Sequence, residues 1–247
     1  MKQQSFGISA TALRIFALSC MLLDHLWGTV VPGNEWMTCA GRLAFPIFAF
    51  LIAEGFHYTK NLKKYMQRLL LCALLSEIPF NLMLSGRVFN PVHQNVLWTF
   101  LIAIVLMRWC EKRREAPFWR RFLRWAAALA IGFLAGTLTF VDYHGHGVMM
   151  VLIFYFFRGS DLRSRLGQIL GLYWINFTLM GGLVYEYMFL GRLRTFPLQG
   201  FALLALIPIW LCRGRKGFDK PWFRIFCYLF YPLHMLALVV LRNFLIW

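Results

Sequence analysis

Residues 13–28 read LRIFALSCMLLDHLWG. The run is apolar enough for lipid, yet it carries Arg14 near one end and Asp24 and His25 near the other. Ionisable groups at membrane depth are costly and normally face the bundle interior or a wet cavity. At about 100° and 1.5 Å per residue, the step from Arg14 to His25 returns within roughly 20° of one helix face and advances roughly 16 Å along it. Arg14 and His25 therefore share a seam near opposite ends of the helix, with Asp24 about 100° away from it.

The remainder of the chain supports a lipid setting. Of its 247 residues 60% are hydrophobic, 18% aromatic and 15% charged, whereas soluble domains are nearer half apolar and a quarter charged. The apolar residues gather in blocks of about 15–20, the length that crosses a bilayer core. The expected fold is all-α: a polytopic transmembrane bundle forming a single domain over 1–247. Nine spans are expected, at roughly 11–31, 42–58, 69–84, 95–108, 125–141, 147–157, 168–185, 198–211 and 225–245. The N-terminal MKQQSFGISA has one lysine and no small-residue cleavage site, so the first helix is expected to stay in the mature protein.

A net charge of +16 raises the question of nucleic acid, and its distribution argues against it. Four alternate loops, KNLKKYMQR, RWCEKRREAPFWRRFLR, RGSDLRSR and CRGRKGFDKPWFR, hold 19 of the 26 Lys and Arg. This asymmetry predicts a cytoplasmic N-terminus and an external C-terminus. The same loops suit contact with anionic lipid headgroups. The six cysteines show no CxxC and no paired spacing, so neither a disulfide framework nor a cysteine metal site is expected.

The second span, GRLAFPIFAFLIAEGF, runs back inward and offers partners for the first helix. Glu54 matches Arg14 in depth, and Arg42 lies within reach of Asp24, so two structural ion pairs are expected. His25 has no partner in that scheme. Elsewhere, Glu77 precedes Pro79 in LLSEIPFN, where the proline removes a helical hydrogen bond to Leu75. His234 in YPLHML is a second histidine at mid-span, able to assist at the donor end or to bond a backbone carbonyl. DYHGHGV sets Asp142, Tyr143, His144 and His146 at the outer mouth. Such residues suit the lining of an acceptor entrance better than zinc, for which no further ligand is fixed nearby.

The motifs LRIFALSCMLLDHLWG, GRLAFPIFAFLIAEGFHYTKN, LLSEIPFN, QNVLWTF, DYHGHGVMMVLIFYFFR and FYPLHML resemble, in order, the TraX family of membrane proteins. The family's namesake, carried by conjugative plasmids, acetylates the N-terminal amine of a pilin subunit. The wider class of integral-membrane acyltransferases carries a basic residue, ten others and a histidine in its first helix, a spacing that Arg14 and His25 repeat. Where the family has glycine after Asp-Tyr, this chain has His144.

The resemblance implies residence in the inner (plasma) membrane and transfer from acetyl-CoA, the donor, to an acceptor amine or hydroxyl, with no metal. Arg14 and the basic rim suit the donor phosphates, because a guanidinium binds phosphate bidentately and keeps its charge when desolvated. His25 is then either the general base, its ordinary pKa of about 6.5 lying near working pH, or the site of a transient acyl group. Asp24 either holds the helix through Arg42 or raises the imidazole's basicity. Arg42 and Asn95 are candidates for oxyanion stabilisation at the substrate end. A peptide N-terminal amine with a pKa near 8 is a better acceptor than lysine at about 10.4. A glycan hydroxyl is the alternative acceptor, and a proton-coupled transporter the alternative function.

Overall fold

The structure, a computed structural model, describes residues 7–112, 115–212, 217–218 and 220–245. Six of the basic residues counted above, Lys2, Arg113, Arg114, Arg213, Arg215 and Lys216, lie outside them. Helix α1 (Ala10–Thr29) begins where the Ser9 hydroxyl accepts the Ala12 N–H at 3.2 Å, a cap that satisfies one orphan donor of the first turn. Leu13, Ala17 and Cys20 face inward, while Ile15 and Phe16 face out.

Helices α2 (Glu35–Gly41) and α3 (Ala44–Tyr58) join at Arg42 and Leu43 into one run long and apolar enough to cross a membrane. The second span therefore starts seven residues before the expected Arg42. Helix α4 (Leu62–Ser85) contains Pro79 and stops at Gly86, whose φ of 66° lies in the left-handed region that glycine reaches without strain. Against it packs the last helix, Pro221–Leu245. With Phe118–Leu138, five helices among the described residues are long and apolar enough to cross a membrane.

Three of the expected spans are shorter. They correspond to α5 (Val96–Glu111), to a 13-residue helix and to the run Leu198–Leu211. Labelling in chain order, Phe118–Leu138 is α6 and the 13-residue helix is α7 (His144–Phe156). Thirteen residues reach about 20 Å, short of a hydrocarbon core of about 30 Å. Helix α7 has little need of lipid, because Val148 to Phe154 are all buried among α3, α5 and α6.

Small residues permit that burial. A Cβ on Gly145 would sit 2.2 Å from the Phe133 carbonyl oxygen, and one on Gly136 would sit 2.7 Å from the His144 carbonyl oxygen. Backbones this close tolerate only glycine at both positions. Gly145→Ala is expected to push α6 and α7 apart and to destabilise the fold by about 2–3 kcal/mol. Thermal unfolding in detergent checks this, and an unchanged melting temperature would refute the close contact.

The expected seventh span, 168–185, is corrected. Helix α8 (Leu162–Tyr173) continues as a π-helical turn, Trp174–Leu179, and stops before Gly181 and Gly182. Strands β1 (Val184–Phe189) and β2 (Arg192–Pro197) then pair antiparallel, from Val184 opposite Pro197 to Phe189 opposite Arg192. Leu190 and Gly191 form the two-residue turn at φ 51° and 73°, the double left-handed geometry that matches strand twist. The chain is thus mainly helical, with one exposed hairpin. A 3-10 helix, Leu198–Ala205, leads into α9 (Leu206–Leu211), and Pro221–Leu245 is α10.

Candidate functional site

Two cavities lie back to back in the bundle. One, of about 360 Å³, opens among the start of α1, the end of α3 and the starts of α4 and α10. Arg14, Arg68 and Arg224 line it together with Tyr58, Tyr65 and Tyr228. No carboxylate is found among its described lining residues. The other, of about 620 Å³, is walled by Asp24, His25, Arg42, His93, Asp142 and Tyr143 among others. Met21, Phe48, Val96, Phe100 and Tyr231 line both, so an apolar neck separates a cationic chamber from a mixed polar one. The seam from Arg14 to His25 runs from one chamber to the other.

His25 has a partner that sequence spacing does not reveal. Its Nδ1 lies 2.7 Å from Nε2 of His234, and Nδ1 of His234 lies 2.7 Å from the carbonyl oxygen of Phe230. A carbonyl can only accept, so His234 Nδ1 carries the proton and, with that ring neutral, its Nε2 accepts. His25 must then donate from Nδ1, which leaves the lone pair on its Nε2. The two rings are 6° from parallel with centroids 5.0 Å apart, room for little more than the hydrogen bond and two ring radii, so they meet edge to edge. A chain of two hydrogen bonds thus sets the tautomer of His25, since the bond at one ring nitrogen decides which nitrogen carries the proton.

Asp24 and Arg42 pair as expected, at 2.7 Å. Thr38 extends the pair by donating to Asp24 Oδ1 at 2.7 Å and accepting from Arg42 Nη2 at 2.9 Å. Arg42 also donates from Nε to the Thr38 carbonyl at 3.3 Å and from Nη1 to Gln199 Oε1 at 3.3 Å. Four of its five N–H groups are thereby engaged, and one on Nη1 remains for the chamber. Gln199 is held in turn by Asn176 at 3.0 Å. Gly41 makes room for the carboxylate, since a Cβ there would lie 2.4 Å from Asp24 Cβ.

Across the chamber, Asp142 lies 3.4 Å from His93 and accepts the Tyr143 N–H at 3.1 Å. The hydrogen bond to Asp142 holds the His93 imidazole above the usual histidine range, against the opposing effect of burial. Tyr143 stacks on Phe45 with ring centroids 4.1 Å apart. His144 is exposed, at φ 46°, and is not among the lining residues of the chamber. That left-handed conformation is one that glycine adopts without strain. His146 packs against Phe133, with ring centroids 5.3 Å apart and planes at 73°.

Two other candidates sit elsewhere. Asn95 is fully buried as the cap of α5, its Oδ1 accepting from Leu97 and its Nδ2 donating to Glu77 and to the Ala73 carbonyl. It supports the wall behind the chamber and does not line it. Glu54 pairs with Arg158, at 2.6 Å from Nε, and not with Arg14. Arg158 follows the end of α7, which packs directly against α3, the helix that carries Glu54. His93, Gln199 and Arg242 are lining residues that sequence reasoning missed. The one signal for His93 is its place in HQNV, directly before the α5 cap.

Fold and site define a helical membrane protein with a polar, histidine-centred chamber joined to a cationic one. The chain belongs to the TraX family, whose description is TraX protein and which matches residues 9–242. It is 29% identical over 159 residues to Protein TraX of Escherichia coli, covering 64% of this chain and 60% of that relative. A second Protein TraX, from Escherichia coli strain K12, is 30% identical over 156 residues, covering 62% and 58%. The matches thus span less than two thirds of these relatives' length. Along 98% of this chain and 99% of the relative, it is 25% identical to a probable fimbrial assembly protein, FimC of serogroup H1, from Dichelobacter nodosus. No solved structure matches the chain.

Proposed function

We propose that this protein is an inner-membrane acetyltransferase. It takes an acetyl group from acetyl-CoA on the cytoplasmic side and delivers it to an acceptor entering from the outside. The observation that carries the reading is the pair of abutting chambers. Arg14, Arg68 and Arg224 in one suit a phosphorylated donor, and His25 in the other suits proton removal from a nucleophile. The acceptor nitrogen or oxygen attacks the thioester carbonyl while Nε2 of His25 takes its proton. The C–S bond then breaks, and the departing thiolate receives that proton. The free Nη1–H of Arg42 is available to the carbonyl oxygen as charge develops there.

A peptide N-terminal amine is the favoured acceptor, because a group with pKa near 8 is partly neutral at working pH. The relative named for fimbrial assembly, aligned over nearly the whole chain, favours a pilin-type peptide over a glycan hydroxyl.

The test is calorimetric titration of acetyl-CoA into the protein in nanodiscs, with wild type, His25→Ala and Arg14→Gln side by side. Saturable binding is expected for wild type and His25→Ala. A weakening of about 10- to 100-fold is expected for Arg14→Gln, the worth of one charged hydrogen bond at about 1.5–3 kcal/mol. Absence of binding to folded wild type would end the acetyltransferase reading.

A further inference from the structure

Beside the Arg14 chamber lies another cavity of about 630 Å³, and Tyr58 lines both. Its wall carries Arg158 and Ser160 from the turn after α7, Arg165 from the start of α8, and Trp210 from α9. The Arg158 guanidinium lies 5.3 Å over the Tyr58 ring, and that of Arg165 lies 5.2 Å over the Trp210 ring. Both cations thus sit over aromatic faces. The Trp210 platform is fixed, since its indole N–H donates to Gln168 at 2.7 Å and Gln168 donates to the Phe157 carbonyl at 2.8 Å.

Charge on this wall is not balanced. Glu54 is the carboxylate among the described lining residues, and Arg158 already holds it through Nε at 2.6 Å and Nη2 at 3.4 Å. Arg165 has no such acid, and its Nε is buried without a hydrogen-bond partner. A buried guanidinium donor left unpaired is costly, and an anion on that face removes the cost. Phosphate is the matching shape, because the guanidinium edge presents parallel donors to two of its oxygens.

The geometry points to this cavity as a second phosphate subsite, which receives the ribose 3′-phosphate of the donor while the diphosphate lies with Arg14, Arg68 and Arg224. The inference rests on the proposed donor. Coenzyme A carries two separate anionic groups at its nucleotide end, and the protein offers two arginine-lined cavities joined at Tyr58. Arg165 and Trp210 would then select the 3′-phosphorylated nucleotide over the same thioester lacking that group. The phosphate of a lipid headgroup shares this chemistry, so the experiment must separate the two sources.

Acetyl-CoA and acetyl-3′-dephospho-CoA are titrated into the full chain in nanodiscs of zwitterionic lipid, then again with phosphatidylglycerol added. Wild type is expected to bind acetyl-CoA at least about tenfold more tightly than the dephospho thioester, the lower end of the worth of one charged hydrogen bond. Arg165→Gln is expected to bring that ratio close to one by weakening acetyl-CoA alone, and Arg165→Lys to keep part of it. Equal affinity of wild type for both thioesters overturns the subsite and leaves the donor reading standing. So does a ratio untouched by Arg165→Gln. Arg165-dependent retention of phosphatidylglycerol without discrimination between the thioesters assigns the cavity to lipid and overturns the proposal. Failure of folded wild type to bind either thioester defeats the donor reading and this subsite with it.

Discussion

His25→Ala is expected to lower acetyl transfer by about 10²- to 10⁴-fold, the usual contribution of a positioned general base, with acetyl-CoA affinity unchanged. In the proposed mechanism the donor's anionic end lies in the Arg14 chamber, on the far side of the neck formed by Met21, Phe48, Val96, Phe100 and Tyr231. Removing an imidazole from the other chamber therefore takes away proton transfer without touching phosphate contacts. His234 acts one step back. It binds neither substrate in this scheme and holds His25 Nδ1–H at 2.7 Å, so it is a positioning residue. His234→Phe leaves the proton of His25 free to sit on either nitrogen, which predicts a smaller loss of turnover and a displaced pH–rate profile. His234→Gln, whose amide oxygen can accept from Nδ1, should recover part of the rate. Single-turnover transfer to a peptide amine, with donor affinity measured in parallel, checks the set. Near-normal transfer by His25→Ala would remove His25 from the mechanism.

How far such a site is visible in sequence depends on the distance the fold bridges. Asp24 and Arg42 were legible because consecutive antiparallel helices must bring equal depths together, and the 2.7 Å pair follows. The same reasoning failed for Glu54. Depth alone selects Arg14, but α7 inserts next to α3 and brings Arg158 from 104 residues away. The bond between His25 and His234 spans 209 residues, and no helical periodicity predicts that α10 returns beside α1. The hairpin was misread for a different reason. Residues 168–185 are apolar enough for a span, yet Gly181 and Gly182 interrupt the helix and VYEYMF is rich in β-formers. Leu190 conceals the turn, since Asn or Asp is the usual partner of glycine in that geometry. Asn95 was legible as a polar residue at a helix start, and its side chain serves as a cap.

Asp24→Ala is expected to destabilise the bundle by about 3 kcal/mol, the low end for breaking a buried ion pair, because the two side chains keep 20% and 19% exposure. The loss is larger than one contact suggests. Asp24 Oδ1 accepts from both Arg42 and Thr38, so its removal strands a guanidinium between α1 and the 3-10 helix that carries Gln199. Arg42→Ala strands the carboxylate instead, with only Thr38 still donating to it. Replacing both, as Asp24→Leu with Arg42→Met, removes both orphaned charges and should recover most of the stability, since a well-packed apolar pair often matches an ion pair. Chemical unfolding of the two single variants and the double variant in detergent gives the coupling directly. Transfer by the refolded double variant separates structure from chemistry. If the pair only clamps α1 to α2, restored stability restores turnover. If the remaining Nη1–H of Arg42 serves the developing oxyanion, the stable double variant stays slow, by about 10²- to 10³-fold, because methionine fills the space and offers no donor.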